Sequence, residues 1–334
     1  MPGYRGRLST IQPIGLSIQA IQPQSSMFSI LIPTWNNLPY LQLCIDSIRR
    51  HSCMEHDILV HVNDGSDGTL EWVRDQGIAH THSTANVGIC LAVNQLASMA
   101  TRQWLVYLND DMVCCPGWDA ALINAIDHQP HDLVYLSPTI IEPRSTVNPL
   151  TIVRDFGSTA ETFNEAAMME QFASDPRGDR LGQASPVSVV SKRWWHMVGG
   201  YSIEFSPGMG SEDDLMMKFW VAGCRHYAVI GSSRIYHFAC RSTGRVRRNH
   251  GARTFVTKWG VTQGDFKRRS LAPSATPQVP PQPMPQPTPM GRLKRAVYGL
   301  TGNFPLGDLS AWDAMPGQHL HAGPAIRTTT MDDS

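Results

Sequence analysis

The chain is 334 residues long, with 28 basic and 28 acidic side chains and a formal net charge of zero. That length allows one large domain or two ordinary ones. Zero net charge gives no global attraction to nucleic acid or to an anionic surface, and there is no run of about twenty apolar residues to cross a membrane. Residues 1–26 carry Arg5 and Arg7 without a continuous apolar stretch, which argues against a secretory signal and for a disordered extension outside the fold. Seven cysteines lack CxxC spacing; they fit free thiols in a reducing compartment, so a cytoplasmic location is expected.

In chain order, "FSILIP" is an apolar strand stopped at Pro33, and "LPYLQLCIDSIRR" follows with Leu41, Cys44, Ile45 and Ile48 at helical spacing. "DILVHV" is a second strand ending on Asn63-Asp64-Gly65-Ser66. "TLEWVRDQ" reads as a helix, "IAHTHS" as a short edge strand, and Asn86-Val87-Gly88 opens the helix "ICLAVNQLASMA". "QWLVYL" is the next strand and ends on Asn109-Asp110-Asp111. Strand–helix alternation implies right-handed crossovers and a mostly parallel sheet.

The second half is less regular. "HDLVYLSPTII" continues the sheet, residues 142–184 are a long polar excursion, and "SPVSVVSK" is a strand followed by the short helix "RWWHMVGGY". Trp194 and Trp195 on that helix read as core, with a sugar-stacking role as the alternative. "GMGSEDDLMMKFWVAG" is an acidic loop opening a helix, with Asp214 fitting its N-cap. "YAVIGSSRIYHF" reads as a final strand pair with His237 near its end, and basic residues from Arg241 to Lys258 follow. "PSATPQVPPQPMPQPTP" is too rich in Pro and Gln to pack a core and reads as an extended tether. "GRLKRAVYGL" beyond it is a short basic and apolar piece for which disorder is the default and docking on a partner or membrane the alternative.

Three strands therefore end on polar turns: Thr34-Trp35-Asn36-Asn37, Asn63-Asp64-Gly65-Ser66 and Asn109-Asp110-Asp111. Parallel sheets bind ligands beyond the carboxyl ends of their strands. Adjacent carboxylates repel unless positive charge compensates them. A divalent cation with oxygen ligands is the functional reading of Asp110-Asp111, and a surface turn is the plain one.

Taken together and in this order, "SILIPTWNN", "VNDGSDGT", "NVGICLAVNQ", "YLNDDM", "VGGYSIEF" with "SEDDLMMKFWVAGCR", and "IYHF" resemble the motifs of family-2 glycosyltransferases. The resemblance runs over about residues 27–265. It implies an α/β fold of the GT-A (Rossmann-like) type over residues 27–270. That fold has a mostly parallel central sheet with helices on both faces, and here a proline-rich linker and flexible tail would follow over 271–334. It also implies an inverting enzyme that moves a sugar from a nucleoside-diphosphate sugar to a hydroxyl. The donor would be uridine- or thymidine-linked, and the acceptor a glycan or lipid-linked saccharide.

Under that resemblance Mn²⁺ or Mg²⁺ bridges the diphosphate, with Asp111 and His237 as metal ligands. The plain reading of His237 is a satisfied core histidine. Pro33, Thr34, Asn36, Asp64, Asn86, Gly88, Asn109 and Asp110 are implied in nucleotide-sugar binding. Asp64 would accept from the N3–H of the base, Asn109 and Asp110 would hold hydroxyls, and the helix start at Gly88 would favour an anion. Asp64 also suits a plain turn with Gly65. Glu212 and Asp213 compete to be the catalytic base: alignment on "LMMKFWVAG" favours Glu212, and side-chain type favours Asp213. Asn63 and Asn109 stand where relatives carry Asp. Two rivals remain: a catalytically inactive scaffold, and a nucleotidyltransferase, which would want a Gly-rich basic loop where "PTWNNLP" stands. No nucleic-acid partner is expected, peripheral contact with a membrane is left open, and the oligomeric state is not legible.

Overall fold

A computed structural model describes residues 28–146, 148, 150–182, 187–239, 249–271 and 287–300. The N-terminal extension, the basic run from Arg241 to Arg248 and most of the proline-rich tether lie outside the described residues.

The first half forms as its hydrophobic periods dictate. Strands β1 (Phe28–Trp35), β2 (Asp57–Asn63) and β3 (Ala79–Ser83) alternate with helices α1 (Leu38–His51), α2 (Thr69–Asp75) and α3 (Gly88–Met99). Strand β4 (Trp104–Tyr107) then pairs beside β1, giving the parallel block β3-β2-β1-β4. Side chains alternate across a strand, so β1 feeds two cores. Phe28, Ile30 and Ile32 pack with Leu41, Ile45 and Ile48 of α1 on one face. Leu31 packs with Cys90, Val93 and Leu96 of α3 on the other. Helices on both faces follow from this.

Strand β5 (Met112–Cys114), helix α4 (Trp118–Asp127) and strand β6 (Val134–Glu142) come next. The polar excursion holds the two-residue strand β7 (Ile152–Val153), helix α5 (Glu165–Gln171) and the two-residue strand β8 (Arg180–Leu181). Strand β9 (Ser188–Ser191) inserts antiparallel between β4 and β6. Helices α6 (Lys192–Met197) and α7 (Ser211–Val221) precede strand β10 (His226–His237), which runs parallel to β6. The expected final strand pair is one continuous strand. Gly231-Ser232-Ser233 does not turn; a register shift between Ile230 and Arg234 absorbs the extra residues, and the Gly231 N–H bonds Asp179 Oδ1 at 2.7 Å. Trp195 is core, and Trp194 donates to Asp132 Oδ1 at 2.9 Å.

Helices α8 (Gly251–Trp259) and α9 (Gln263–Ser270) cover α7, with Phe255 and Phe266 in the same core as Leu215 and Trp220. Within the segment expected to be flexible, Pro289–Leu300 is a helix, α10. It lies on α8 because Gly291 meets the Gly260 carbonyl too closely for any side chain, and Arg253 stacks on Tyr298 at 5.4 Å.

Candidate active site

The three polar turns lie together because β1, β2 and β4 are parallel and end at one edge. Asn36 (φ 45°) and Asp64 (φ 63°) both hold left-handed backbone, which non-glycine residues seldom adopt. The two turns lock each other there. Asn36 Nδ2 donates to Asp64 Oδ2 at 2.9 Å, and Asn36 Oδ1 accepts from the Gly65 N–H at 2.8 Å. The bonds from Asn36 and Ser66 hold the half-exposed Asp64 carboxyl below its usual pKa. Asn63 is buried and works in both directions: its amide donates to the Thr34 carbonyl (3.2 Å), and its Oδ1 accepts from the Val87 N–H (2.8 Å). A carboxylate could not donate there, which accounts for Asn in that place.

Asp110 and Asp111 are divided between two partners. Thr34 Oγ1 donates to Asp110 Oδ2 at 2.7 Å, while Asp111 Oδ1 faces His237 Nε2 at 3.4 Å. The end of β10 is fastened at this point, since the Phe238 N–H bonds the Asp111 carbonyl at 3.1 Å. His237 Nδ1 meets Glu142 Oε1 at 2.7 Å. Burial alone would lower the ring's pKa, yet the Asp111 and Glu142 carboxylates carry it up to about 10. Asn109 Oδ1 accepts from the Tyr107 hydroxyl at 2.6 Å, so its side-chain oxygen is already engaged by the protein. Pro33 is buried in β1 opposite His61 and shapes the edge by packing.

Among the described residues no three of His, Cys, Asp or Glu converge as a ready-made metal site. Asp111 and His237 are nevertheless a carboxylate and an imidazole facing each other, and Glu142 turns Nε2 towards Asp111 by holding Nδ1. Two such ligands fit a cation whose other positions are filled by phosphate oxygens.

The start of α3 is not the open anion site expected from the sequence. The N–H groups of Val87, Gly88 and Ile89 are taken by Asn63 Oδ1, Asn86 Oδ1 and the Pro207 carbonyl, at 2.8, 2.9 and 2.8 Å. Gly88 (φ 77°) has no room for a side chain against the Pro207 backbone. Gly88 and Ile89 thus dock the 206–208 loop onto α3, while Asn86 caps the helix start.

That loop leads into the acidic run. Helix α7 begins four residues earlier than expected, at Ser211 behind the left-handed Gly210. Asp214 is therefore not an N-cap; it lies inside the first turns, fully buried. Its carboxylate accepts from Ser202 Oγ (2.6 Å) and Trp259 Nε1 (2.8 Å), and Lys258 Nζ sits 2.9 Å away. Asp213 turns to Lys267 Nζ and Gln263 Nε2, both at 2.7 Å. Burial raises the Asp213 pKa in spite of Lys267. Glu212 accepts from the Ser211 hydroxyl at 3.3 Å, and burial, helped by the Asp213 charge, pushes its pKa up to about 7. Tyr107 stands between the two acidic groups: burial, then Glu212, Asp110 and Asp111, raise its pKa well above normal. Tyr201 packs edge-on to Tyr107, with its hydroxyl buried and lacking a partner among the described residues.

Sequence reasoning missed Glu142, Tyr107 and Tyr201. Glu142 carried a signal: it is an acid closing an apolar strand, as Asp110 and Asp111 do. A cavity of about 440 Å³ lies at the opposite edge, against Ile58 and Ala79 at the starts of β2 and β3.

Residues 29–176 match the model of "Glycosyl transferase family 2". Proteins named "PGL/p-HBAD biosynthesis glycosyltransferase" from Mycobacterium bovis (strain BCG / Pasteur 1173P2) and Mycobacterium tuberculosis (strain ATCC 25177 / H37Ra) are each 31% identical over 118 residues. That is 33% of this chain and 45% of theirs. The chain thus spans less than half the length of these relatives. In structure it is similar to S. aureus TarS 1–349 (TM-score 0.48, 12% identity, 63% of this chain and 60% of that one). It is also similar to GalNAc-T7 with UDP, GalNAc and Mn²⁺ (TM-score 0.48, 14% identity, 67% and 44%). The family match contains Asn36, Asp64, Asp110, Asp111 and Glu142; Glu212 and His237 lie beyond it.

Proposed function

We propose that this chain, which carries a glycosyl transferase family 2 domain over residues 29–176, transfers a sugar with inversion from a nucleoside-diphosphate donor to a hydroxyl acceptor. A uridine- or thymidine-linked donor fits best, because Asp64 is a half-exposed acceptor at the base end of the edge. Asn36 orients Asp64, and Thr34 orients Asp110 for the donor's hydroxyls. Pro33 shapes the floor of this edge, Asn109 braces it through Tyr107, and Gly88, steadied by Asn86, holds the acceptor loop in place.

Asp111, and His237 once its ring proton is displaced, would hold Mn²⁺ or Mg²⁺, which when bound supplies a Lewis acid for the charge on the departing diphosphate. Glu142 keeps the histidine ring aimed at that place. Glu212 takes the proton of the acceptor hydroxyl. A base is most effective when its pKa lies near the working pH, and Glu212 at about 7 meets that condition. Asp213 is paired with Lys267 and serves to restrain the helix start. The acceptor is the hydroxyl of a glycan or lipid-linked saccharide, met from the side of the 206–208 loop.

The observation that carries this reading is one edge on which the paired acids, the Asp111–His237–Glu142 line and the raised Glu212 all surround Tyr107 and β10. An inactive scaffold has no use for a half-buried glutamate whose pKa is raised to about 7 in such a place. The test is release of nucleoside diphosphate from a panel of sugar nucleotides, with and without Mn²⁺. Release from uridine or thymidine donors, dependent on metal and lost in Asp111→Ala, is expected. Failure of the folded protein to bind or cleave any of them would sink the proposal.

A further inference from the structure

Helix α10 exposes a single apolar stripe. Met290, Leu293, Val297 and Leu300 recur at intervals of three and four residues and are 55, 58, 45 and 87% exposed. Its opposite side is taken by α8, through Gly291 and Tyr298. The stripe thus points away from the body of the protein, and an exposed, aligned set of large apolar side chains marks a binding face.

Charge says what it would meet. The whole chain is neutral, yet helices α8, α9 and α10 together hold eight basic residues (Arg253, Lys258, Lys267, Arg268, Arg269, Arg292, Lys294, Arg295) against one acid, Asp265. Lys258 and Lys267 are used internally on Asp214 and Asp213. Arg268, Arg269, Arg292 and Arg295 are exposed. Within α10 itself there is no acidic residue. An apolar stripe flanked by Lys and Arg is the pattern of a helix lying in the plane of an anionic membrane. Its twelve residues make about 18 Å, too short to span, and no described helix is long and apolar enough to cross a membrane.

We propose that α10 docks the protein on an anionic membrane surface, with Met290, Leu293, Val297 and Leu300 entering the headgroup region. The helix reaches the active edge through one rigid neighbour. Gly251 at the start of α8 abuts the Met209 carbonyl, and Asn249 Nδ2 donates to the Phe205 and Ser206 carbonyls at 2.6 and 3.1 Å. A surface held by α10 therefore lies beside the loop that precedes Glu212, the side from which a lipid-borne acceptor would arrive. That last step rests on the activity proposed above; the docking does not.

The test uses the full chain and vesicles of phosphatidylcholine, alone or with about a third phosphatidylglycerol, read by co-sedimentation. Partition into the anionic vesicles is expected, weakening as salt rises. Leu293→Glu/Val297→Glu should lower it roughly tenfold or more, and Arg292→Ala/Lys294→Ala about tenfold or more with the stripe intact. All four side chains lie on the outer helix, so an unchanged melting temperature is expected in both variants. Absence of partition at low salt, or equal partition of wild type and both variants, overturns the proposal. So does a wild-type dimer that Leu293→Glu/Val297→Glu abolishes, since the stripe would then meet a second copy. Sugar transfer to a water-soluble acceptor reads the activity separately: transfer without vesicle binding removes only the docking, and vesicle binding without transfer removes only the activity.

Discussion

The molecule contains two runs of adjacent carboxylates, and it treats them differently. Asp110-Asp111 lies in the turn between β4 and β5, where its two side chains are sent to different partners; one meets the Thr34 hydroxyl and the other His237. Glu212-Asp213-Asp214 opens a helix, where successive side chains are turned by about 100°. Three acids in a row therefore reach three environments: Asp214 the core, Asp213 the α9 surface, and Glu212 the active edge. Backbone geometry, rather than the identity of the acid, sorts the roles. A cluster of like charges is thus a poor guide to a single site until the local period is known.

The sharpest way to break this comparison is to neutralise each acid of the helix in turn. Glu212→Gln should lower turnover by about 10² to 10⁴-fold and leave donor binding nearly unchanged, as measured by steady-state kinetics and calorimetry. Loss of donor affinity instead would put Glu212 on the nucleotide. Asp214→Asn should act on stability. It strips a buried partner from Lys258, Ser202 and Trp259, at a cost of about 2 kcal/mol or more, and thermal unfolding should fall by several degrees. An unchanged melting curve would mean that α7 and α8 are held by Phe255 and Phe266 alone.

How far the sequence reached follows the same division. The strands of the parallel block and their polar turns were legible, since period-two apolar runs stop at Asn and Asp within a few residues. The pairing of Glu142 with His237 was not, because the two are 95 residues apart and meet only through the β6–β10 register, which places Ile141 beside Tyr236. The start of α7 was placed late because Asp214 resembles a cap, whereas the left-handed Gly210 makes the turn. The open anion site at Gly88 failed for a similar reason: its N–H groups are claimed by Asn63 and by a loop more than a hundred residues downstream. Local periodicity is written in the chain; long-range acceptors are not.

A smaller effect tests the strand cluster. Glu142 touches His237 and not the expected metal position, so it acts as a positioning residue. Glu142→Gln should weaken Mn²⁺ binding in the presence of nucleoside diphosphate by roughly 10 to 100-fold, read by calorimetry. The KM for the acceptor should stay unchanged. If Mn²⁺ affinity does not move, the ring of His237 is oriented by packing, and the contrast between the two acidic runs loses its metal half.

The smallest expected effect decides between Glu212 and Asp213. The Asp213 charge is one cause of the raised Glu212 pKa, after burial. Removing that charge must therefore lower the Glu212 pKa. A base works when deprotonated, so the wild-type rate should climb with pH through about 7 and level off above it. In Asp213→Asn the same climb should occur at lower pH, with the plateau within about threefold of wild type, since Asp213 itself is turned away to Lys267 and Gln263. In Glu212→Gln the climb should vanish. Stability runs the other way: a carboxyl raised from its usual 4.5 to about 7 favours the fold at low pH and loses that contribution as pH rises through the folded value. Glu212→Gln should therefore melt higher than wild type at pH 8 and not at pH 4. If Asp213→Asn instead loses its plateau while Glu212→Gln keeps both plateau and climb, the base is Asp213, and the helical turn has sorted the acids in the opposite order.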